Sequence, residues 1–120
     1  MKTHSLKYLS DILIAIDFIE DFMKDIQNFM QYCNDYKTQS AVERQLVIIG
    51  EALNKLKKKD PSIIISHDQS IISFRNRLVH AYDGIDNSIV WAILKNHITS
   101  LKEEIAELKD SIDDKEKNEE

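Results

Sequence analysis

A chain of 120 residues fits one domain with a single modest core, and its two glycines and one proline are too few for the turns of a strand-rich fold. Hydrophobic residues make up 42% of it, which excludes a disordered chain by composition, and no apolar run approaches the ~20 residues that span a bilayer. The net charge of −5 argues against broad, non-specific binding to nucleic acid.

The distribution of that charge matters more than its sum. Residues 101–120 hold nine acidic side chains and four lysines, so the first hundred residues are neutral. Gln69 to Tyr82 has no acidic residue but carries Arg75 and Arg77, and Lys55, Lys57, Lys58 and Lys59 form a second basic cluster. Local positive potential of this kind attracts phosphate. Cys33 is alone, which excludes an intrachain disulfide and any cysteine-rich zinc motif. The N-terminus runs into an amphipathic pattern, not a signal-peptide core, so no membrane partner and a cytoplasmic location are expected.

Leu6, Leu9, Leu13, Ile16, Ile19, Met23, Ile26 and Met30 recur at spacings of three and four, which predicts one long amphipathic helix from Leu6 to Cys33. Asp35 to Gln39 breaks it. Thr38 or Ser40 caps a second helix, with Glu43 placed as in a capping box; its stripe is Val42, Leu46, Ile49, Ala52, Leu53 and Leu56, and Asp60-Pro61 stops it. Ile63-Ile64-Ile65 has no strand to pair with and reads as an apolar loop over the bundle. Asp68 or Ser70 opens a third helix through Ile71, Ile72, Phe74 and Leu78 to about His80. Asp83-Gly84 is a turn. Asn87 or Ser88 then caps one last helix with the stripe Val90, Leu94, Ile98, Leu101, Ile105, Leu108 and Ile112. Four helices with short connections imply an all-α antiparallel four-helix bundle over residues 1–112, with 113–120 as a charged, frayed tail. Leu13, Ile16, Leu46, Ile49, Leu53, Leu94, Leu101 and Ile105 are the expected core.

The segment Phe74-Arg75-Asn76-Arg77-Leu78-Val79-His80-Ala81-Tyr82 holds the chemistry. On a helix Asn76 and His80 share a face at i, i+4, so the amide can orient the imidazole. Arg75 and Tyr82 nearly eclipse, while His80 lies about 140° round from Arg75. A titratable base, a fixed cation, a polar orienter and a phenol suit metal-free RNA cleavage. Neutral imidazole can take the 2′-hydroxyl proton, and guanidinium can stabilise the charge building on phosphorus. One motif supplies one histidine, whereas cleavage uses an acid as well as a base; a symmetric dimer supplies both. The bland reading places Arg75 and Arg77 on a solvated helix face and His80 near a helix C-terminus, where a cation is favoured anyway.

Arg75-Asn76, then His80 and Tyr82, resembles the signature of the HEPN superfamily in its HepT-like branch. Tyr8 to Ile12 is similar to that branch's opening helix, Thr38 to Val42 with Ile48 to Ala52 to its second, and Phe74 to Ile85 with Val90 to Ile93 to its third and fourth. One departure bears on loop packing and not on the motif: where some members carry a Trp, this chain has Ser66-His67-Asp68-Gln69. The resemblance implies a HEPN-like helical bundle that dimerises. It implies a ribonuclease toxin of a type VII-like toxin–antitoxin pair, encoded with a small nucleotidyltransferase antitoxin that silences it by AMP transfer to the motif tyrosine, here Tyr82. A larger assembly with that antitoxin is compatible with this pairing.

The remaining candidates are weaker. His4, His67 and His97 lack metal-ligand spacing, so neither metal nor cofactor is expected. Gly50 costs helix stability and points to close helix packing. Glu51 is either an inward polar residue near the dimer cleft or a solvated carboxylate. Trp91, Phe74 and Tyr8 read as core or interface aromatics. The stripe from Ile98 to Ile112 serves either as core or as a partner seam. The leading expectation is a metal-independent endoribonuclease acting on RNA, with His80 as general base or acid, Arg75 as transition-state stabiliser, Asn76 as orienter, Tyr82 as substrate contact and modification site, and Arg77, Lys57 and Lys58 as RNA contacts. The alternative is a non-catalytic module that partners a nucleotidyltransferase.

Overall fold

The computed structural model describes residues 2–66, 68–80 and 86–119, and among these every regular element is a helix. In order they are α1 (Lys2–Met23), α2 (Phe29–Cys33), α3 (Tyr36–Lys59), α4 (Asp68–His80), α5 (Asn87–Asn96) and α6 (Ile98–Glu119). α3 packs most extensively on α1, with α4 on another flank; α6 lies against α1, and α5 joins α6. Leu9, Ile12 and Ile16 of α1, Leu46, Ile49, Leu53 and Leu56 of α3, and Leu101 and Ile105 of α6 are sealed in the shared core. Burying each such side chain is worth about 1.5–3 kcal/mol, so these stripes hold the fold more than helix propensity does. Lys102 Nζ clips α6 to α1 through Glu20 Oε1 at 2.6 Å and Asp17 Oδ1 at 3.6 Å.

The structure corrects the predicted elements in four places. The helix expected over Leu6–Cys33 stops at Met23. A turn bonded Lys24 N–H to Asp21 O and Ile26 N–H to Met23 O leads to Asn28, whose side chain accepts from the Gln31 N–H at 3.0 Å and starts α2. The break rotates the chain so that Tyr32 is fully buried, with its ring 5.9 Å from Trp91 of α5, whereas Met30 of the predicted stripe is 66% exposed. Burial, with the Glu43 carboxylate beside it, pushes the Tyr32 phenol well above its usual range. The second correction is the cap of α3. It is Asp35, neither Thr38 nor Ser40: Oδ1 accepts from the Thr38 N–H at 3.0 Å and Oδ2 from the Thr38 hydroxyl at 2.7 Å.

The third correction is the last helix, which is two. Asp86, not Asn87 or Ser88, caps α5 by accepting from Ser88 N–H at 2.9 Å, and the helix is interrupted at His97 (φ −123°, ψ −30°). Hydrogen bonds from His97 N–H to Ile93 O and from Leu101 N–H to His97 O carry the ladder across the joint. The fourth concerns the two ends of the apolar and charged patterns. Leu13 and Leu94 are only partly buried, packed on the core's edge, and α6 continues past Asp113 to Glu119, where a tail was expected. A Lys109–Asp113 pair at i, i+4 is the kind of contact that extends a solvated helix. The loop expected at Ile63–Ile65 is present: Ile65 is buried, Ile63 leans on the core and Ile64 faces solvent.

Two outcomes test these packing and capping assignments. Leu53→Ala, which empties a fully buried position on α3, should cost about 2–5 kcal/mol in urea unfolding. The two hydrogen bonds from Thr38 hold the Asp35 carboxyl below its ordinary range. A depressed carboxyl stabilises the fold above its unfolded pKa and loses that contribution as pH falls through its folded pKa. Asp35→Asn keeps an acceptor for Thr38 N–H but removes the titration, so thermal melts in acid should decline less steeply than those of wild type.

Candidate active site on the fourth helix

α4 carries Arg75, Asn76, Arg77 and His80, and three features of α3 fix where it lies. At one end Lys57 Nζ meets the Asp68 carboxylate at 3.1 Å. Asp68 is nearly buried and opens α4, where a negative charge complements the helix dipole; Lys57 lies in the last turn of α3, where a positive one does. Lys57, one of the lysines expected to contact RNA, also joins the two helices, and Lys58 beside it is exposed.

At the centre is Gly50. A Cβ built there would stand 2.6 Å from Arg75 Cβ, 3.0 Å from Arg75 Cγ and 3.3 Å from the Ile71 carbonyl oxygen. The close helix packing predicted for Gly50 is present, and what packs on it is the stem of the motif arginine. Since Lys57 pairs with Asp68 and Gly50 with Arg75, the two helices run antiparallel. His80 follows Arg75 by five residues, about 7.5 Å further along the axis, toward the N-terminal half of α3.

The third feature is Glu51. Arg75 Nη2 donates to Glu51 Oε1 at 3.5 Å, and Arg75 Nη1 donates to Asn76 Oδ1 at 2.9 Å. Arg75 Nε is buried with no hydrogen-bond partner, yet the side chain as a whole is 30% exposed. A buried donor without an acceptor costs about 1–3 kcal/mol. Glu51, left open between an inward and a solvated role, is 42% exposed and meets Arg75 at the rim of the helix contact.

The structure brings together Arg75 and Asn76 and adds Glu51 and Gly50. The contact it shows for Asn76 is with Arg75. The backbone of Arg77 and His80 is helical, but their side chains, like Tyr82 and the Asp83-Gly84 turn, lie outside the described residues. A Gly-Glu pair inside the strongly amphipathic second helix was the sequence signal for this contact. Among the described residues no three His, Cys, Asp or Glu side chains gather as metal ligands, and no helix is long and apolar enough to cross a membrane. An open groove of about 590 Å³ lies between α4 and α5, lined by Gln69, Ser73, Phe74, Ile89, Ile93 and His97, and Arg75 is not part of its lining.

The family model described as ribonuclease HepT-like matches residues 12–108, which include the whole motif from Arg75 to Tyr82. The chain belongs to the ribonuclease HepT-like family. The chain is 39% identical over 113 residues to "Probable ribonuclease HepT" of Thermococcus cleftensis, covering 91% of this chain and 99% of that one. It is 33% identical over 102 residues to "Putative RNase MJ1380" of Methanocaldococcus jannaschii, covering 82% and 90%. To "Putative RNase MJ0127" of the same organism it is 34% identical over 115 residues, covering 92% of each. No solved structure matches. For this HepT-like chain, as for the HEPN-like fold the sequence suggested, all-helical architecture is the observed one.

The approach of α4 to α3 makes a prediction that runs against helix propensity. Alanine is better than glycine by about 1 kcal/mol in a helix interior. Overpacking a filled contact typically costs about 1–3 kcal/mol. Gly50→Ala should therefore lower the thermal midpoint; a rise would show that α4 can retreat at no cost.

Proposed function

We propose that this HepT-like chain is a metal-independent endoribonuclease that works as a homodimer of antiparallel four-helix bundles. We propose it further as the cytoplasmic toxin of a pair whose antitoxin is a small nucleotidyltransferase. The observation that carries the reading is Arg75: a guanidinium held at a partly exposed point of α4, five residues before His80 on the same helix. Family membership and the ribonuclease names of its relatives support the same chemistry.

In this reading His80 takes the proton from the 2′-hydroxyl, and that oxygen attacks the adjacent phosphorus. Arg75 stabilises the extra charge on the phosphoryl oxygens. The bond from phosphorus to the 5′-oxygen breaks, and the leaving oxygen takes a proton from His80 of the partner subunit, present as imidazolium. The products are a 2′,3′-cyclic phosphate and a 5′-hydroxyl. Dimerisation supplies the second acid–base group that one chain lacks. Asn76 orients His80; Arg77, Lys57 and Lys58 contact flanking phosphates, and Tyr82 contacts substrate. AMP on Tyr82 would set a bulky anion where that substrate must approach, which is how the antitoxin would silence the enzyme.

Cleavage of total RNA should survive EDTA and leave cyclic phosphate ends. His80→Ala should abolish it. Arg75→Lys should be severely impaired, because an ammonium cannot reproduce a two-pronged contact to phosphate. Equal cleavage by wild type and His80→Ala, or complete loss on chelation, would remove the catalytic reading and leave a docking module for a nucleotidyltransferase. Light scattering should give a dimer at micromolar concentration, and a strict monomer would contradict the two-histidine scheme.

A further inference from the structure

We propose that Glu51 is a positioning residue: it acts on RNA cleavage only through Arg75, by setting the plane in which the guanidinium meets phosphate. The inference rests on the reading above, in which Arg75 faces the scissile phosphate.

An arginine on a helix surface has four flexible side-chain bonds and samples many rotamers. Here the stem lies on Gly50, which removes freedom near the backbone. The contact to Asn76 comes from the neighbouring residue on the same helix, so it moves with α4 and cannot register the guanidinium against the rest of the fold. Glu51 is on another helix. Its oxygen, 3.5 Å from Nη2, is the contact that ties the far end of Arg75 to α3.

Counting donors shows what this leaves for a ligand. A guanidinium has five N–H groups. Nε–H is buried, one N–H of Nη1 goes to Asn76, and one of Nη2 goes to Glu51. One N–H remains on each terminal nitrogen, a pair that can bind two oxygens of one phosphate.

The charge of Glu51 works against substrate. A carboxylate beside a phosphate-binding arginine repels the incoming anion and draws on the same cation. If Glu51 were a bystander, its removal would strengthen RNA binding and leave turnover alone or improve it. A positioning role predicts the opposite split: turnover falls although affinity does not.

The test uses full-length protein with Glu51→Ala, Glu51→Gln, Arg75→Ala and the Arg75→Ala/Glu51→Ala double variant, each confirmed as folded by its thermal melt. Glutamine keeps an acceptor for Nη2 and drops the charge, so Glu51→Gln should retain most of the rate. Glu51→Ala should lower kcat about tenfold or more with KM no higher, since small misplacements of a reacting group are costly. In the Arg75→Ala background, Glu51→Ala should have no additional effect. Wild-type turnover by Glu51→Ala would overturn the proposal. So would a Glu51→Gln enzyme as slow as Glu51→Ala with its pH profile altered, because Glu51 would then be exchanging protons itself.

A second measurement does not depend on cleavage. The Arg75 Nε–Hε pair should give a resolved, slowly exchanging NMR signal in wild type and Glu51→Gln, lost to exchange in Glu51→Ala. Persistence of that signal in Glu51→Ala would overturn the positioning role. A locked Arg75 in a protein that cuts no RNA would instead sink the ribonuclease reading and leave the Glu51 contact standing.

Discussion

Two helices that touch backbone to side chain, with no Cβ on the α3 side of the contact, set the spacing of everything on the fourth helix. Ordinary helix pairs keep their axes apart by the side chains at their contact. At Gly50 that spacer is missing, and the stem of Arg75 fills the gap. Toward the start of α4 the same approach brings Asp68 within reach of Lys57.

The charges around this contact are arranged by sign as well as by distance. Lysines close α3 and an aspartate opens α4, so the Lys57–Asp68 pair and the two helix dipoles favour the same antiparallel register. Glu51 sits one residue past the glycine, where a side chain leaves the packed face and reaches the rim. Apolar packing therefore brings α4 in, and ion pairs at the end and the middle decide its rotation. The large groove between α4 and α5 takes no part in this. Its lining mixes apolar side chains with Gln69, Ser73, Ser88 and His97 and does not include Arg75.

Much of this was legible in the chain before any coordinates. Apolar residues at spacings of three and four located the core of α1, α3 and α6, and the scarcity of glycine and proline excluded a sheet. The breaks were not legible. Nothing at Lys24 to Asn28 or at His97 is a conventional helix breaker; the first joint is accompanied by the packing of Tyr32 on Trp91, a contact between residues remote in sequence. The caps were missed by one to five residues, since Asp35 and Asp86 are acidic residues among several polar candidates and only their geometry selects them. At the site, Arg75 and Asn76 stood out by spacing. The partner of Arg75 did not, because Glu51 is remote in sequence and meets it only through the packing at Gly50.

The lone Nε–H of Arg75 bears on how such a protein tolerates change. A position where folding strands a polar atom is one where an apolar replacement of similar length, such as methionine, keeps the packing and removes the stranded donor. Screening this chain for heat resistance alone would therefore tend to erase its arginine. Variants enriched for stability and variants enriched for activity should part company at this one residue, and the degree to which they do measures how far the molecule has given up durability for chemistry.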